Sequence, residues 1–457
     1  MKDELAGKRV VILGLARQGK ALARFAAGVG ARVVISDIRL AEQLGAQLDE
    51  AEGLAAELVL GGHPVSLLDG ADVLAISGGV PADAPIVQAA HRLGIQVTND
   101  SLEFMRRCPA TVVGITGSAG KTTTTALTGE MLRAAGRTTW VGGNIGNPLI
   151  SELDRVGPED VVVIELSSFQ LELWDVSPPA AAVLNVTPNH LDRHGTMEAY
   201  ASAKANILRH QSPSDVAVLS WDDLGARSLA GATSGRLRWF SAEGPVPDGA
   251  YLEDDTFWLQ DAEGCRPVGR LSDLRLRGRH NAANALAALA LADSLAAPAE
   301  AMRQALLAFR GVEHRLEEVR RLRGVLYVND SIATAPERAL AALSSFSEPL
   351  IMLAGGRDKR MRWEEWARRV NRRVKAVVLF GELGEALAAH LVQAAAESTA
   401  PPAVTRADSL AEAVAAAAAL AERGDVVLLS PGGTSYDAFA DFVERGEAFR
   451  RLVHGLT

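Results

Sequence analysis

The stretch that decides the fold is Thr111-Val-Val-Gly-Ile-Thr-Gly-Ser-Ala-Gly-Lys-Thr-Thr-Thr-Thr125. Its β-branched first half predicts a buried strand, its glycines predict a turn, and its lysine and threonines open a helix. Together these form a cradle for phosphate, because backbone N–H groups and a helix N-terminus face an anion. The usual spacing places a glycine five residues before Gly120, where this chain has Ile115, so the loop is a variant of that pattern.

The composition predicts a multidomain globular protein. At 457 residues the chain is too long for one hydrophobic core, so two to four domains are expected. Hydrophobic residues make up 48% of the chain, and no apolar run reaches the roughly 18 residues of a membrane span. The N-terminal residues lack the apolar segment of a signal peptide, and two cysteines cannot form a disulfide framework. We therefore expect a cytoplasmic protein with no membrane partner.

The charge pattern argues against a nucleic-acid partner and singles out a few lysines. The net charge is −9, and no basic tract is present. Only seven of the 47 basic residues are lysine. Where arginine stands at nearly every basic position, a lysine within a motif indicates chemistry that a guanidinium cannot perform. This hint applies to Lys121, Lys204 and Lys359.

The N-terminal residues predict a dinucleotide-type βαβ unit. A strand over residues 8–13 leads into Gly14-Leu-Ala-Arg-Gln-Gly19 and a helix from Lys20, and a second strand ends at Asp37, where an acid that binds ribose would stand. The middle glycine of that pattern is absent, and Arg17 and Gln18 crowd the place where a pyrophosphate must approach. A nicotinamide-dependent dehydrogenase is therefore the minor alternative, and it leaves the phosphate loop unexplained.

Three side chains beyond the phosphate loop suit metal and phosphate chemistry. Glu165 ends an apolar strand, and a carboxylate at the tip of a second central strand is expected to hold Mg²⁺. His190 follows another strand, where ligands collect, although a loop histidine is more often solvated. Lys204 has apolar neighbours on its helix, which leaves two interpretations. The whole side chain is buried and tends to lose its proton, or only its aliphatic stem is buried and the ammonium reaches solvent.

The C-terminal third predicts a second Rossmann-like unit. Four predicted strands each end in a polar or glycine loop, and they cover residues 324–328, 350–353, 376–380 and 426–429. Such loops share one edge of an open parallel sheet. Polar residues of these loops are therefore expected to converge: Asp330, Thr334, Lys359 and Ser435.

The predicted fold class is α/β, with a Rossmann-like N-terminal domain, a central P-loop ATPase-type domain and a Rossmann-like C-terminal domain. Their predicted bounds are 1–99, 100–310 and 311–457, because residues 310–317 form a polar joint. Near the end of the central domain, Asn281 and Asn284 lie one turn apart on a predicted helix. Such a pair can cap a helix or lie on its solvent-facing side. Asparagine can also bind the edge of an adenine base through the donor and acceptor of its amide group.

Together the motifs resemble the Mur ligase family, the ATP-dependent enzymes that add amino acids in peptidoglycan synthesis. The resemblance covers essentially the whole chain and rests on Thr116-Gly-Ser-Ala-Gly-Lys-Thr122, Glu165-Leu-Ser-Ser-Phe-Gln-Leu-Glu172, Asn185-Val-Thr-Pro-Asn-His-Leu-Asp192, Lys204-Ala-Asn-Ile, His280-Asn-Ala-Ala-Asn284, Glu313-His-Arg-Leu-Glu317 and Asn329-Asp-Ser. Within the family, the Glu-Leu-Ser-Ser-Phe-Gln phrase and the segments Ser435-Tyr-Asp-Ala-Phe and Phe442-Val-Glu-Arg-Gly446 favour the members that add D-glutamate.

The resemblance implies a two-step ligase reaction. ATP would phosphorylate the terminal carboxylate of UDP-N-acetylmuramoyl-L-alanine to an acyl phosphate, and the amino group of D-glutamate would then displace phosphate. Because two anions approach each other, the site needs concentrated positive charge. The resemblance also implies two Mg²⁺ ions and a carbamate formed from CO₂ on Lys204, which would turn a cation into a metal-binding carboxylate. We further expect a monomer.

The resemblance assigns roles residue by residue. The catalytic residues would be Lys121, His190 and Lys204, and the metal ligands would be Thr122, Glu165, His190 and Lys204. ATP would be bound by Gly117, Ser118, Ala119, Gly120, Lys121, Thr122, Thr123, Asn281, Asn284, His314, Arg315 and Asp330. The UDP substrate would be bound by Leu15, Ala16, Asp37, Ser77, Gly79 and Asn144. The amino acid would be bound by Thr334, Lys359, Ser435 and Phe442.

The sequence departs from the family pattern where the amino acid is expected. Ile332 and Ala335 stand where many of these ligases have Lys and Asn, and Gly432-Gly433 replaces the commoner Ala-Cys. L-glutamate or another amino acid therefore stays open as the acceptor. Another Mur-type ligase and a folylpolyglutamate-type ligase are further alternatives, although the latter would not need such a first domain. A non-catalytic nucleotide switch would have no use for three sets of strand-end loops.

Overall fold

Three sheets, built mainly from apolar β-branched runs, organise the chain in this computed structural model. The structure describes residues 3–44, 48, 51, 53–54, 57–81, 83–144, 146, 148–276, 278–358, 361–398 and 401–457. The chain divides into two units, Met1–Arg275 with Arg279–Phe309 and Leu276–Gly278 with Arg310–Thr457. The first unit contains two sheets and the second contains one, which confirms the predicted α/β class.

The N-terminal sheet is parallel throughout, in the order β3-β2-β1-β4-β5. Its strands are β1 (Arg9–Leu13), β2 (Arg32–Asp37), β3 (Glu57–Leu60), β4 (Val73–Ile76) and β5 (Gln96–Thr98). The helices of this part are α1 (Arg17–Gly28), α2 (Ala41–Leu44), α3 (Pro85–Arg92) and α4 (Asp100–Arg107). Helix α1 begins at Arg17, before the predicted start at Lys20. Its first turn packs closely on the preceding loop, because Gly19 has no Cβ, which would lie 1.9 Å from the carbonyl oxygen of Gly14.

The central sheet has the order β14-β13-β12-β11-β10-β9-β6-β8-β7. Its strands are β6 (Thr111–Thr116), β7 (Thr139–Gly143), β8 (Val161–Glu165), β9 (Ala180–Val183), β10 (Val216–Ser220), β11 (Arg236–Ser241), β12 (Gly249–Glu253), β13 (Thr256–Asp261) and β14 (Gly264–Arg270). Its helices are α5 (Lys121–Ala134), α6 (Ser168–Leu171), α7 (Leu191–His194), α8 (Met197–Arg209), α9 (Leu224–Arg227), α10 (Arg279–Ser294) and α11 (Ala299–Ala308). Neighbouring strands pair in parallel from β7 through β8, β6, β9, β10 and β11 to β12. Strands β12, β13 and β14 pair antiparallel at one edge.

The two sheets of the first unit share side-chain contacts and a hydrophobic core. Asn99 caps α4 by accepting from the N–H of Leu102 (2.8 Å), and its Nδ2 donates to the carbonyl of Gln170 (2.8 Å). Arg106 pairs with Asp175 at 2.7 Å. One core cluster includes residues of both sheets. The predicted boundary at residue 99 thus falls within one unit, and the predicted domain bounds stay a prediction.

The sheet of the second unit has the order β15-β16-β20-β17-β18-β19, with only β15 antiparallel. Its strands are β15 (Glu317–Leu322), β16 (Val325–Asn329), β17 (Leu350–Gly355), β18 (Ala376–Phe380), β19 (Ala403–Ala407) and β20 (Val426–Gly432). Its helices are α12 (Pro336–Leu343), α13 (Glu364–Arg373), α14 (Gly384–Ala394), α15 (Leu410–Leu420) and α16 (Phe442–Gly455). Within the described ranges of both units, none of the helices combines the length and the apolar character needed to cross a bilayer.

Asp100 is a buried carboxyl whose ionisation should appear in the pH dependence of stability. It begins α4 and is 4% exposed. Burial raises its pKa from 3.8 to about 7, against the lowering by the N–H groups of Ser101 and of Asp100 itself. The folded state therefore binds a proton that the unfolded state releases. The contribution of Asp100 to the free energy of unfolding falls as pH rises from about 4 to about 7.

We expect Asp100→Asn to be more stable than the parent chain above about pH 7, by at most about 4 kcal/mol. The difference should shrink toward zero near pH 4, because both forms are then neutral at this position. Urea denaturation across that pH range measures it. Asp69→Asn, at an exposed carboxyl before β4, is the control for the loss of a carboxyl elsewhere in the same unit. An Asp100→Asn gain that does not change with pH would contradict the raised pKa.

Candidate active site

The phosphate loop joins β6 to α5, as the sequence predicts. Thr116 ends the strand and Lys121 begins the helix. Gly120 caps that helix with a φ of 84°, a left-handed conformation that glycine adopts without strain. A Cβ on Gly120 would also lie 2.2 Å from Oδ1 of Asn284. The loop therefore requires glycine here both for its backbone and for its neighbour.

The loop is held by the segment after β9, through contacts that the sequence did not predict. The N–H of Ala119 donates to Oδ1 of Asn185 (2.8 Å), and Nδ2 of Asn185 donates to the Ala119 carbonyl (3.1 Å). The Ser118 hydroxyl donates to the Thr187 carbonyl (3.0 Å) and accepts from the Thr187 N–H (3.0 Å). The position of Asn185 just after a central strand is the sequence signal that could have identified it.

Glu165 ends β8 with both carboxylate oxygens in hydrogen bonds. Oγ1 of Thr122 donates to Oε2 (2.8 Å), and Nδ2 of Asn144 donates to Oε1 (2.9 Å). The parallel pairing of β6 with β8 brings Thr122 and Glu165 together, and Glu165 is buried. Asn144, which the family resemblance assigned to the UDP substrate, therefore lies directly beside a predicted metal ligand.

Lys121 and Lys204 donate to the same carbonyl oxygen. The Nζ atom of each lysine lies 2.9 Å from the Gly117 oxygen. Lys204 is 1% exposed, and its Nζ lies 4.6 Å from the centroid of the Tyr200 ring. Burial lowers the pKa of Lys204 well below its ordinary value, the charge of Lys121 lowers it further, and Glu165 opposes the change. Of the two alternatives for Lys204, the structure therefore shows the fully buried lysine, and its surroundings favour the neutral amine.

A row of packed rings connects His190 to the phosphate loop. The Phe169 centroid lies 5.1 Å from the centroids of both His190 and His194. His194 lies 5.1 Å from Tyr200, whose hydroxyl is 3.0 Å from Oγ of Ser118. His190 is exposed and has a φ of 54°. Its ring therefore lies at the surface, and its position is set by packing against Phe169.

Two of the four predicted metal ligands, Thr122 and Glu165, form an incomplete oxygen site. Across the described part of the chain, no group of three histidine, cysteine, aspartate or glutamate side chains could hold a metal ion. Thr122 and Glu165 supply a hydroxyl and one carboxylate at a single place. Magnesium is commonly bound by one or two carboxylates together with substrate phosphates and waters. These two residues fit such a site, in which phosphate and water complete the coordination.

The predicted UDP-binding loops lie at the ends of β1, β2 and β4. The N–H of Leu15 donates to Oδ2 of Asp37 (2.7 Å), and Arg39 donates to both oxygens of Asp37 at 2.9 Å. Burial raises the pKa of Asp37, but the hydrogen bonds from Arg39 and Leu15 outweigh it and bring the pKa to about 2. The Ser77 hydroxyl bonds the Gly14 carbonyl at 3.4 Å. Asp37 therefore braces the loop as an ionised group.

The other predicted residues of these loops differ in what they expose. The side chain of Leu15 is fully buried, so only its backbone can meet a ligand. Ala16 and Gly79 are exposed. The exposed loop tips and backbone groups are thus the accessible part of this predicted site.

The predicted adenine-binding pair lies on α10. Nδ2 of Asn284 donates to Oδ1 of Asn281 (3.1 Å), as their spacing of one turn predicts. The Thr124 hydroxyl of α5 donates to the Asn284 carbonyl (3.5 Å). Because Asn284 also borders Gly120, this pair stands beside the phosphate loop.

In the second unit, His314 and Asp330 lie around the end of β16. Nδ1 of His314 is 3.0 Å from Nδ2 of Asn329, and its ring lies edge-on to Phe442 at 6.3 Å. Asp330 accepts from the N–H of Leu316 (3.2 Å) and from the hydroxyl of Ser430 (2.9 Å). Burial raises the pKa of Asp330 to about 7, although these bonds lower it. Arg315, beside them in sequence, is half-buried.

The loops that carry the predicted amino-acid site meet at one edge of this sheet. The N–H of Gly432 donates to the Ala333 carbonyl (2.8 Å), which joins the Thr334 loop to the loop of Ser435. Ser435 is buried and Thr334 is half-buried. Phe442 begins α16, and its carbonyl accepts from the Ser331 hydroxyl (2.8 Å). Lys359 lies outside the described residues. We call the loops 329–334, 355–358 and 432–435, with the start of α16, the amino-acid rim.

The glycine pair that departs from the family pattern has a local reason. Gly432 has a φ of 71°, and a Cβ there would lie 3.0 Å from the Trp363 ring. A Cβ on Gly433 would lie 2.6 Å from the Gly355 carbonyl oxygen. In this chain the backbone of one loop and a tryptophan occupy the space that Ala and Cys side chains would need.

Family models match three successive parts of the chain. They describe a Mur ligase MurD-like N-terminal domain over residues 8–99, a Mur ligase middle domain over 115–292, and a Mur ligase glutamate ligase domain over 314–433. The middle match contains the phosphate loop from Ile115, with Glu165 and Lys204. The last match contains His314, Asp330 and most of the amino-acid rim.

Two relatives are similar over nearly their whole length. The UDP-N-acetylmuramoylalanine--D-glutamate ligase of Pelotomaculum thermopropionicum is 41% identical over 461 residues, covering 100% of this chain and 99% of the relative. The protein of the same name from Symbiobacterium thermophilum is 42% identical over 453 residues, covering 98% of each.

Solved structures with lower sequence identity share the fold. UDP-N-acetylmuramate-alanine ligase MurC from Thermotoga maritima gives a TM-score of 0.58 at 19% identity, covering 98% of this chain and 99% of that one. MurF from Acinetobacter baumannii gives 0.58 at 18% identity, covering 97% and 93%. At these identities the likeness concerns the fold alone, which is the three-domain α/β architecture that the sequence predicts.

Proposed function

The chain belongs to the Mur ligase family of ATP-dependent ligases, and from this we propose that it joins D-glutamate to UDP-N-acetylmuramoyl-L-alanine in peptidoglycan synthesis. The bond formed is an amide between the L-alanyl carboxylate and the amino group of D-glutamate, made through an acyl phosphate. The observation that carries the proposal is the identity of 41% and 42% with two relatives named for this reaction.

We assign the phosphoryl step to the phosphate loop. Its backbone N–H groups and Lys121 would surround the β- and γ-phosphates, and Lys121 would leave the Gly117 carbonyl to do so. A fixed positive charge reduces the repulsion between the γ-phosphate and the attacking carboxylate. We keep the remaining predicted ATP contacts as part of the proposal: Asn281 and Asn284 in the first unit, and His314, Arg315 and Asp330 in the second.

Two Mg²⁺ ions and a lysine carbamate are also part of the proposal. Thr122 and Glu165 would hold one ion and His190 would help to hold the other, which when bound would neutralise phosphate charge. The neutral amine of Lys204 would attack CO₂, so that an N–C bond forms, one C–O π bond of CO₂ opens to give the carboxylate, and the nitrogen releases a proton. The resulting carbamate would supply the second carboxylate that the described residues of this site lack.

The remaining assignments concern the two molecules to be joined. We assign the UDP part to the loops of Leu15, Ala16, Asp37, Ser77 and Gly79, with Asn144 nearer to Glu165. We assign the amino acid to Thr334, Ser435 and Phe442 of the amino-acid rim, together with Lys359. D-glutamate is the acceptor that the relatives' name indicates, and L-glutamate is the alternative that the departures at Ile332 and Gly432-Gly433 leave open.

We also retain a cytoplasmic location and a monomeric state as predictions.

A phosphate-release assay with ATP, Mg²⁺ and UDP-N-acetylmuramoyl-L-alanine tests the proposal. We expect release only when D-glutamate is added, with L-glutamate, D-glutamine and D-alanine as matched comparisons. Absence of release with every amino acid would refute the ligase activity of this chain. Release with L-glutamate alone would refute only the stereochemistry of the acceptor.

A further inference from the structure

Arg445 is a fully buried arginine at the amino-acid rim. It lies in the first turns of α16 and is 0% exposed. Its Nε donates to Oγ of Ser331 (3.0 Å), its Nη1 to the Gly433 carbonyl (3.2 Å), and its Nη2 to the Ser331 carbonyl (2.8 Å). All three acceptors are neutral oxygens. Each of the three guanidinium nitrogens thus has a hydrogen-bond acceptor, but none of these acceptors carries a charge.

The missing counter-charge makes this arrangement unusual. Among the residues that the structure describes, no carboxylate lies within ion-pair distance of Arg445, and Asp437 acts on it only from farther away. Burial lowers the pKa of Arg445 to about 10, so the group stays charged at neutral pH. Burying a charge without an ionic partner is costly, so a residue that only fills space would not be expected here.

The contacts of Arg445 join the loops of the amino-acid rim. Ser331 belongs to the loop that leads to Thr334, and Gly433 belongs to the loop that leads to Ser435. A Cβ on Gly356 would lie 3.0 Å from Nη1, so the third loop also passes against the guanidinium. The Ser331 hydroxyl, which accepts from Arg445, donates onward to the Phe442 carbonyl (2.8 Å). One planar group therefore fixes the spacing of three loops and the start of a helix.

We propose that Arg445 is a positioning residue for the amino acid, because it holds the Ser331, Gly433 and Gly356 loops at the separation that the acceptor requires. The inference rests on the proposed function, and it adds a residue whose side chain need not touch the amino acid. Lysine cannot replace it, since a single ammonium cannot reach acceptors that the guanidinium reaches in three directions. The reaction of the acyl phosphate with the amine should therefore depend on Arg445, and formation of the acyl phosphate should not.

The test compares Arg445→Lys, Arg445→Met and Ser331→Ala with the parent chain. Arg451→Met is the matched control, because Arg451 is an exposed arginine on the same helix. Three readouts are needed: KM and kcat for each substrate, positional isotope exchange in ATP without amino acid, and the thermal midpoint. The isotope exchange reports acyl phosphate formation alone, whereas a purely structural defect would lower kcat, the isotope exchange and the thermal midpoint together.

We expect both Arg445 variants to raise KM for D-glutamate by about tenfold to a hundredfold, since small misplacements of bound groups cost that much. KM for ATP and for the UDP substrate, and the isotope exchange, should stay at the parent values. Ser331→Ala should show the same selective change to a smaller degree, and Arg451→Met should show none. If the Arg445 variants do not fold, Ser331→Ala decides: the selective change supports the proposal, and parent-like kinetics overturn it.

Two results would overturn the positioning role. One is an Arg445→Lys variant with parent kinetics, which would mean that charge alone suffices. The other is a loss of isotope exchange in parallel with the overall rate. Failure of the proposed function is distinguishable from both, because the parent chain itself would then release no phosphate with any amino acid.

Discussion

Replacing Lys121 by alanine will abolish phosphate release while the UDP substrate still binds. Lys121 begins α5 and has its Nζ on the carbonyl of Gly117, inside the loop that would receive the phosphates. Without it, the γ-phosphate and the attacking carboxylate approach each other with one less fixed cation, and we expect a loss of at least about a thousandfold in kcat. Phosphate release measures the loss, and calorimetric titration with UDP-N-acetylmuramoyl-L-alanine measures binding.

The control for Lys121→Ala removes a lysine elsewhere. Lys375 pairs with Glu422 at 2.7 Å and Asp425 at 2.8 Å in the second unit, so Lys375→Ala should keep parent activity. Retained phosphate release in Lys121→Ala would contradict the role of the loop. If UDP-substrate binding were lost together with activity, the variant would have a folding defect and not a selective defect in phosphoryl transfer.

Replacing Lys204 by alanine should reduce activity by at least about a hundredfold, and small carboxylates should restore part of it. The reason is the buried amine, which is 1% exposed and has its pKa lowered by burial and by Lys121. A neutral amine can form a carbamate, and formate or acetate in the space left by Lys204→Ala could replace its carboxylate. Phosphate release titrated with formate, against chloride at equal ionic strength, measures the rescue.

A second variant separates rescue from general salt effects. Lys204→Met fills the same space with an uncharged chain, so formate should not restore its activity. Carbon-13 NMR of the parent chain with labelled bicarbonate should show a carbamate signal that Lys204→Ala lacks. Full activity of unrescued Lys204→Ala would rule out the carbamate.

The sequence predicts the fold well where strands are apolar and end in polar loops. It predicts β6, β8 and the main strands of the second unit from their β-branched runs. It does not predict β15 (Glu317–Leu322), because that edge strand is rich in charged residues and its pairing with β16 depends on tertiary contact. Only the structure shows that β10 to β14 extend the central sheet beyond β9.

The candidate site divides in the same way. The motif residues Lys121, Glu165 and Lys204 are predicted because their residue types suit phosphate and metal chemistry at strand ends. The hydrogen bond from Asn144 to Glu165 and the two hydrogen bonds between Asn185 and Ala119 are not predicted. They depend on pairing between distant strands and on side-chain conformation. Arg445 has no sequence signal beyond its motif phrase, since its burial arises only when three loops close around it.

The close approach of Gly120 to Asn284 has a consequence for evolution. Because a Cβ at 120 would lie 2.2 Å from Oδ1 of Asn284, a side chain cannot appear at 120 unless the residue at 284 shrinks or turns away. The two positions lie on different motifs, yet drift at one restricts drift at the other. In an alignment of full-length relatives the left-handed backbone also favours glycine at 120, so we expect any side chain at 120 to be infrequent and to occur only beside a residue at 284 smaller than asparagine. Independent variation at the two positions would show that the contact is not a shared constraint.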